Sequence, residues 1–435
     1  MSLWWDLVDR PKFSPDNIDQ EWDVVIVGAG FSGLWTAHHL LISQPELKIA
    51  ILDQGQVGSG ASGRNGGWVS ALYPVSDEAL SKNFSAPQIE SLRYELQISI
   101  DEIGHFAQGE KIQCGFKKGG AIVVARNGGQ LARLRNDISP GEVFLDDLVT
   151  QKKVQMSMAQ GSLFNPDCAV VNPAALVIGI AKSLEERGVS IFENHLATIA
   201  SDRSVHVNGR VIKAGFVVRA TEAYTEKTRG QIPIYSLIVA TEPLSNFILT
   251  EIGLRDREAF AEASHLVTYA QRTADNRLVI GGRGAPYSWG SRRKDSLESR
   301  AKDHDRLRTM AKEWFPVLAH TKFTHSWGGA VAVTRDWSPY VRIEKGYGEL
   351  GGYVGDGVTL SYLAAHSMSD RILKKNSTRA NLPYVQWKSR RWESEPMRWL
   401  SVNSTIQLTK IADREEDLTN RPSVIMRTLN PLLGR

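Results

Sequence analysis

Early in the chain the spacing of hydrophobic positions switches from continuous to helical. Val24-Val25-Ile26-Val27 is an unbroken apolar run, and it ends at Gly28-Ala29-Gly30-Phe31-Ser32-Gly33. Beyond it, Leu34, Ala37, Leu40 and Leu41 follow the helical repeat. The pattern predicts strand, glycine turn and helix, then a second strand, Lys48-Ile49-Ala50-Ile51-Leu52, that stops at Asp53.

Further along, Leu80, Ile89, Leu92, Leu96, Ile98 and Ile103 recur near helical spacing between Ser76 and about Ala107. Phe116 to Ala125 reads as a strand entered through Gly119-Gly120, with a helix at Gly129 to Asp137. Asn172-Pro173 opens a helix through Leu176, Ile180 and Leu184 that stops at Gly188, and Val189-Ser190-Ile191-Phe192 follows as a strand. A hairpin around Asn208-Gly209 leads into Phe216-Val217-Val218-Arg219-Ala220-Thr221, a buried-type strand with small residues at its tip. Runs at Tyr235 to Thr241, Leu266 to Arg272 and Leu278 to Gly282, with a turn at Ala274-Asp275-Asn276, predict antiparallel sheet. The basic stretch Ser291 to Arg308 predicts a solvated helix and connection, and a second glycine turn at 351–357 feeds a helix over Ser361 to Leu373.

Composition narrows the classes. The 435 residues permit two or three domains, and 42% hydrophobic with 23% charged residues is ordinary for globular proteins. A net charge of +4 from 52 basic and 48 acidic residues gives no warrant for nucleic acid as a partner. Cys114 and Cys168 stand far apart and are expected as buried, reduced thiols of a cytoplasmic protein. Met1-Ser2-Leu3-Trp4-Trp5-Asp6 has no secretory pattern, and the apolar stretch Val24 to Ile42 is interrupted by the glycines and His38-His39; a soluble protein without membrane insertion is expected. His38, His195, His265 and His325 lack metal-ligand spacing, so no metal site is expected.

Strand, glycine turn and helix together point to a pyrophosphate. Gly28 permits the tight turn, Gly30 the close approach of backbone N–H groups and Gly33 the packing of helix on strand, with the positive end of the helix facing the anion. Asp53, twenty positions after Gly33, is placed to accept both hydroxyls of a ribose. The loop Gly58-Ser59-Gly60-Ala61-Ser62-Gly63-Arg64-Asn65-Gly66-Gly67 then separates the cofactors. A nicotinamide site needs no such second loop, whereas FAD has a longer path past its pyrophosphate. A flexible Gly/Ser linker is the alternative, but Arg64-Asn65 sits between the glycines and Trp68-Val69 resumes at once.

These pieces resemble the D-amino-acid-oxidase-like (DAO) superfamily of FAD-dependent oxidoreductases, in particular its γ-glutamylputrescine oxidase-like branch. The motifs are the turn at 28–33, Ala61 to Gly67, Ala220-Thr221-x-Ala223-Tyr224, Thr241-Glu242-Pro243-Leu244, Arg277-Leu278 through Gly281-Gly282-Arg283, Trp327-Gly328-Gly329, Asp336 with Pro339, Gly352 to Val358, and the tail around Trp392 to Trp399. The resemblance implies an α/β fold in which a discontinuous Rossmann-like FAD-binding domain (20–85, 160–230 and 326–385) interleaves with an α+β substrate domain built on an antiparallel sheet (86–159 and 231–325). A C-terminal tail (386–435) is expected to pack on the FAD domain. It further implies oxidation of an amine C–N bond by hydride transfer to flavin N5, hydrolysis of the imine, and passage of electrons to molecular oxygen or another acceptor.

The residues expected at FAD are Gly28, Gly30, Phe31, Ser32, Gly33, Asp53, Gln54, Ala61, Ser62, Gly63, Arg64, Asn65, Gly66, Gly67, Leu196, Ala220, Thr221, Tyr224, Trp327, Gly328, Gly355, Gly357, Val358 and Thr359. The second glycine turn offers backbone donors and a helix dipole to the N1–C2=O edge of a reduced flavin. Tyr269, Trp327 and Tyr353 are the expected aromatic walls for a small-molecule amine.

Four departures from the superfamily bear on substrate and chemistry. No arginine occupies Trp327 to Val331, where amino-acid oxidases hold a carboxylate, and the first to follow is Arg335. A plain or remotely charged amine, such as a polyamine derivative, is therefore expected, with an amino-acid oxidase using a non-standard carboxylate site as an alternative. No cysteine lies between Gly328 and Thr334, which implies non-covalent FAD, and no lysine lies on Leu278-Val279-Ile280, which bears on oxidase against dehydrogenase. Glu222 replaces a residue often neutral in the branch: it marks either selection for a cation or a change at the surface. An electron-transfer subunit of a larger complex, with Trp387, Trp392 and Trp399 as anchors, is the competing class.

Overall fold

A computed structural model describes residues 2–13, 18, 21–200, 202–225 and 230–433. Residue 20, the expected start of the first unit, and the last two residues of the tail lie outside that set. In chain order the elements used below are α1 (Leu3–Asp6), β1 (Glu21–Val27), α2 (Phe31–Ser43), β2 (Ile49–Leu52), α3 (Ala86–Gly109), β3 (Ala121–Ala125), β4 (Ser190–Phe192), β5 (Arg210–Arg219), β6 (Gln231–Thr241), β7 (Thr268–Arg272), β8 (Leu278–Gly282), α4 (Ala301–Trp314), β9 (Phe323–Thr334), β10 (Tyr340–Glu344), β11 (Tyr347–Gly351), α5 (Gly357–Ile372) and α6 (Met397–Thr419).

The first sheet runs β10-β11-β5-β1-β2-β4, with the 197–199 and 205–207 strands attached beside β5. β1 is central and parallel to both neighbours, Val25 opposite Val217 on one side and Ala50 on the other. That placement explains its unbroken apolar run: Val24 and Ile26 enter the large core with α2, while Val25 and Val27 enter a second core with Phe192 and Val205. The Asn208-Gly209 hairpin forms as expected, Val207 opposite Arg210.

The second sheet has the order β9-β6-β8-β7, then 259–262, β3, 161–165 and 143–145. One face is closed by α4, whose Leu307, Ala311 and Trp314 pack against Tyr235, Leu237, Leu278 and Ile280. The other face delivers Ile238, Val279 and Trp327 into the core of the first unit. This crossing of side chains from one sheet into the core of the other fixes the space between them.

Packing moves several expected boundaries. β9 pairs with β6 along its length, Tyr235 opposite Ala330 and Gln231 opposite Thr334, so residues 326–334 belong to the second sheet, not the first. The 161–165 strand joins the same sheet beside β3. Helix α3, expected on the substrate side, buries Leu92, Leu96, Ile100 and Ile103 in the core shared with α2 and α5. The basic stretch at 291–308 is only partly solvated, since α4 buries Asp303, His304 and Leu307.

The tail also differs from expectation. Trp387 donates to Asp336 and Trp392 to the Val333 carbonyl, both at 2.9 Å. Helix α6 then docks on the second sheet: Asp413 accepts from the backbone of His265 and Leu266 at 2.7 and 3.0 Å, and Glu416 bridges Arg133 and His265. Those charge-assisted bonds hold the Glu416 carboxyl down to about 2 against the effect of its burial.

Candidate functional site

The glycine turn is tight for steric reasons. Gly28 has φ +116°, and a Cβ there would lie 2.5 Å from the Ala220 carbonyl oxygen at the tip of β5. A Cβ on Gly33 would lie 2.0 Å from the Gly28 oxygen, so helix and turn touch backbone to backbone. Asp53 closes the turn from β2. Its two carboxylate oxygens accept the Ala29 and Gly55 N–H groups at 2.7 and 2.8 Å, which offset the upward push of burial on its pKa.

The second loop is tied to the first turn. Ser62 Oγ accepts the Phe31 N–H at 2.9 Å, and Asn65 bonds three backbone groups of its own loop: the Ala61 and Ser62 carbonyls and the Gly67 N–H. Glu193, which the sequence reading missed, accepts the Val57 N–H at 2.7 Å. Only its position one residue past β4 signals it.

A cavity of about 460 Å³ opens above these loops. Of the expected cofactor residues, Gly28, Gly30, Phe31, Ser32, Asp53, Gln54, Ala61, Ser62, Asn65 and Leu196 line it, as do Ala220, Thr221, Tyr224, Gly355, Gly357 and Val358. Gly33 is taken up by helix–turn packing, and Gly63 lies against Trp5. Gly66 and Gly67 lie against Tyr269 and Gln271, and Arg64 is held by Glu298 at 2.6 Å and by the Tyr224 hydroxyl. Gly328 and Thr359 are not among the lining residues: a Cβ on Gly328 would meet the Glu298 backbone at 2.7 Å, and the Thr359 side chain is buried in the first turn of α5, next to Val358, which lines the cavity.

The three expected aromatic walls separate. Tyr353 lines the cavity and shares a 2.8 Å hydrogen bond with Ser32, joining the two glycine turns. Tyr269 stands on the inner face of the second sheet, its hydroxyl 2.7 Å from Ser236 Oγ, in a niche where a Cβ on Gly66 or Gly281 would collide with its ring. Burial pushes the Tyr269 phenol up to about 12 and raises that of Tyr353 well above its ordinary value, so both keep their protons at neutral pH. Trp327 is no wall: it is 5% exposed, and its indole donates to the Arg64 carbonyl at 2.9 Å.

Two charged groups flank the niche. Arg283 donates to the Val354 carbonyl and lies over the Trp337 ring at 5.5 Å, with no carboxylate within ion-pair distance among the described residues. Asp356, before the first turn of α5, is pushed up to about 6 by burial, with the Arg283 charge opposing that rise. Glu222 is not a surface change. It lines the cavity at φ +42° and accepts the Ala223 and Ala332 N–H groups at 2.7 and 3.0 Å, and burial pushes its pKa up against the lowering effect of those bonds.

Residues 23–371 match the family of FAD-dependent oxidoreductases described as DAO, and the chain belongs to that family. FAD is therefore its cofactor, and the protein is an oxidoreductase. It is 27% identical to γ-glutamylputrescine oxidoreductase of Escherichia coli over 387 residues, covering 83% of this chain and 87% of that one. A probable oxidoreductase OrdL of Haemophilus influenzae is 26% identical over 83% of this chain and 85% of its own length. The fold is that of glycine oxidase from Geobacillus kaustophilus, with a TM-score of 0.68, 20% identity, and coverage of 82% of this chain and 96% of that one. The described residues fit the cofactor at the two places where any added side chain would close the cradle, Gly28 and Gly30, the latter's Cβ falling 2.8 Å from Ser62 Oγ. Among the described residues no helix is long and apolar enough to cross a membrane, and no cluster suited to a metal ion is present.

Proposed function

We propose that this protein oxidises the C–N bond of a primary or secondary amine, with FAD held non-covalently in the 460 Å³ cavity. The observation that carries the reading is the junction of a dinucleotide turn with a polar, aromatic niche on the facing sheet, through Ser32–Tyr353 on one side and Gly66–Tyr269 on the other. Bound FAD supplies a two-electron acceptor. The substrate loses a hydride equivalent from carbon and a proton from nitrogen, and water opens the resulting imine to a carbonyl and ammonia or a smaller amine.

The chain's own part is placement and exclusion of water. Tyr269 and Tyr353, protonated at working pH, orient through hydrogen bonds and do not act as bases. Asp356 is the group near the niche whose charge changes close to neutrality, and Arg283 sets the sign of the field there. The γ-glutamylputrescine named for the Escherichia coli relative, an amine bearing an amino-acid head, suits a niche that ends in a guanidinium.

A second reading, an amino-acid oxidase with a non-standard carboxylate site, is favoured by Arg283 itself. Its fork of donors has one carbonyl partner and, among the described residues, no carboxylate within ion-pair distance, Asp356 acting on it from further off; it stands on β8's continuation instead of on β9. Purified protein is expected to be yellow, to release FAD on acid precipitation, and to bleach anaerobically with its amine. A panel of polyamines, γ-glutamylated amines and N-methyl amino acids tests this directly, with oxygen and artificial acceptors compared in parallel. A protein that cannot be loaded with FAD sinks the proposal; one that loads FAD but oxidises nothing in the panel is an electron-transfer subunit.

A further inference from the structure

Residues 2–10 are keyed into the 58–67 loop from beneath. Trp4 Nε1 donates to the Asn65 carbonyl at 2.8 Å, and the Trp327 indole, edge-on to Trp4 at 6.1 Å, donates to the adjacent Arg64 carbonyl. Two consecutive carbonyls are thus gripped by two indoles, one from α1 and one from β9. Trp5 fills the space under the loop so closely that a Cβ on Gly63 would fall 2.2 Å from its ring. The Arg10 guanidinium covers Trp5 at 4.1 Å.

A loop with glycine at 58, 60, 63, 66 and 67 has unusually many conformations to lose, and of its own side chains Ser62, Arg64 and Asn65 restrain it, Arg64 by bonding the Gly60 carbonyl and reaching out to Glu298 and Tyr224. The restraint that remains has to come from outside. Trp4 is 1% exposed and Trp5 is 9%, which excludes a surface role for either.

We propose that Trp4 and Trp5 are positioning residues of the cofactor site, holding the 58–67 loop in the shape that presents Ala61, Ser62 and Asn65 to the cavity. The inference rests on the reading of that cavity as the FAD site. Neither tryptophan lines the cavity, so both act through the loop.

The test uses FAD-loaded full-length protein carrying Trp4→Phe, which keeps an aromatic ring and removes the N–H. Leaving the Asn65 carbonyl without its donor loosens the loop, so FAD release, followed by recovery of free-flavin fluorescence on dilution, is expected to accelerate roughly tenfold, equivalent to about 1.4 kcal/mol. The visible circular dichroism of the bound flavin is expected to change as well. Trp314→Phe is the control, since that indole donates at 2.6 Å to Glu262 in the core of the second sheet. It is expected to lower the melting temperature while leaving FAD release within twofold. Unchanged release and dichroism in Trp4→Phe, or an equal acceleration in Trp314→Phe, overturns the inference. A wild-type protein that takes up no FAD overturns the functional reading instead.

Discussion

The two glycine turns of this protein do different work. The first, at 28–33, is closed by backbone: Asp53 has both oxygens on main-chain N–H groups, and the contact with Ala220 leaves no room for a side chain. The second, at 351–357, is held by side chains from elsewhere and keeps charge in reserve, with Asp356 accepting no side-chain or backbone bond among the described residues and Arg283 arriving from the other sheet. A turn whose N–H groups are pinned by the side chains of Asp53 and Ser62, and whose glycine abuts main chain, has one shape and suits a constant ligand. A turn flanked by under-bonded charges can answer to different substrates.

The largest expected effect breaks the first turn. Gly28→Val places a branched side chain at φ +116° against the Ala220 carbonyl, and FAD uptake is expected to fall at least a hundredfold, read from flavin absorbance after reconstitution.

The next separates the turns from each other. His38 and His39 on α2, and His366 on α5, pack together, with the His39 and His366 rings stacked at 4.3 Å. Arg379 stands over this group and pairs with Glu95 and Glu102 of α3. Burial and the neighbouring positive charge hold His38 and His366 down to about 4, so both are neutral when folded, while an unfolded chain protonates them near 6.5. Stability is therefore complete above pH 6.5 and is lost as pH falls towards 4, by about 3 kcal/mol for His38 alone at 1.36 kcal/mol per pKa unit. Melting temperatures across that window check the direction. His38→Gln is expected to flatten the slope.

At the second turn, Arg283→Met is expected to lower kcat/KM about a hundredfold for an amine that carries a carboxylate, and by no more than about threefold for an uncharged amine of equal length. Equal losses for both remove Arg283 as an anion anchor. The smallest effect belongs to Tyr269→Phe, which loses the bond to Ser236 while keeping the ring; about fivefold in kcat/KM is expected, read from stopped-flow flavin reduction.

The contrast also explains what was legible in the sequence. The first turn, Asp53 and the 58–67 loop were readable because the bonds that join them to one another, Asp53 to Ala29 and Ser62 to Phe31, lie within one short stretch of chain. Trp4 beneath Asn65 and Arg283 beside Val354 depend on contacts between distant parts of the chain. No local period encodes these. Helix α3 was misplaced for the same reason: its apolar stripe says that it is covered, not by what. Trp327 matched its motif and yet serves the loop, because identity along a strand does not say which atom meets a ligand.

One connection carries a consequence of its own. Strand β9 lies in the second sheet and β10 in the first, and only Arg335 to Pro339 joins them. A link that short spans at most about 20 Å when fully extended, and Trp337 within it lies under Arg283. It works as a ruler between cofactor and substrate. A residue inserted there is expected to spoil the registration of one against the other while each sheet still folds, giving a yellow protein out of reach of its amine.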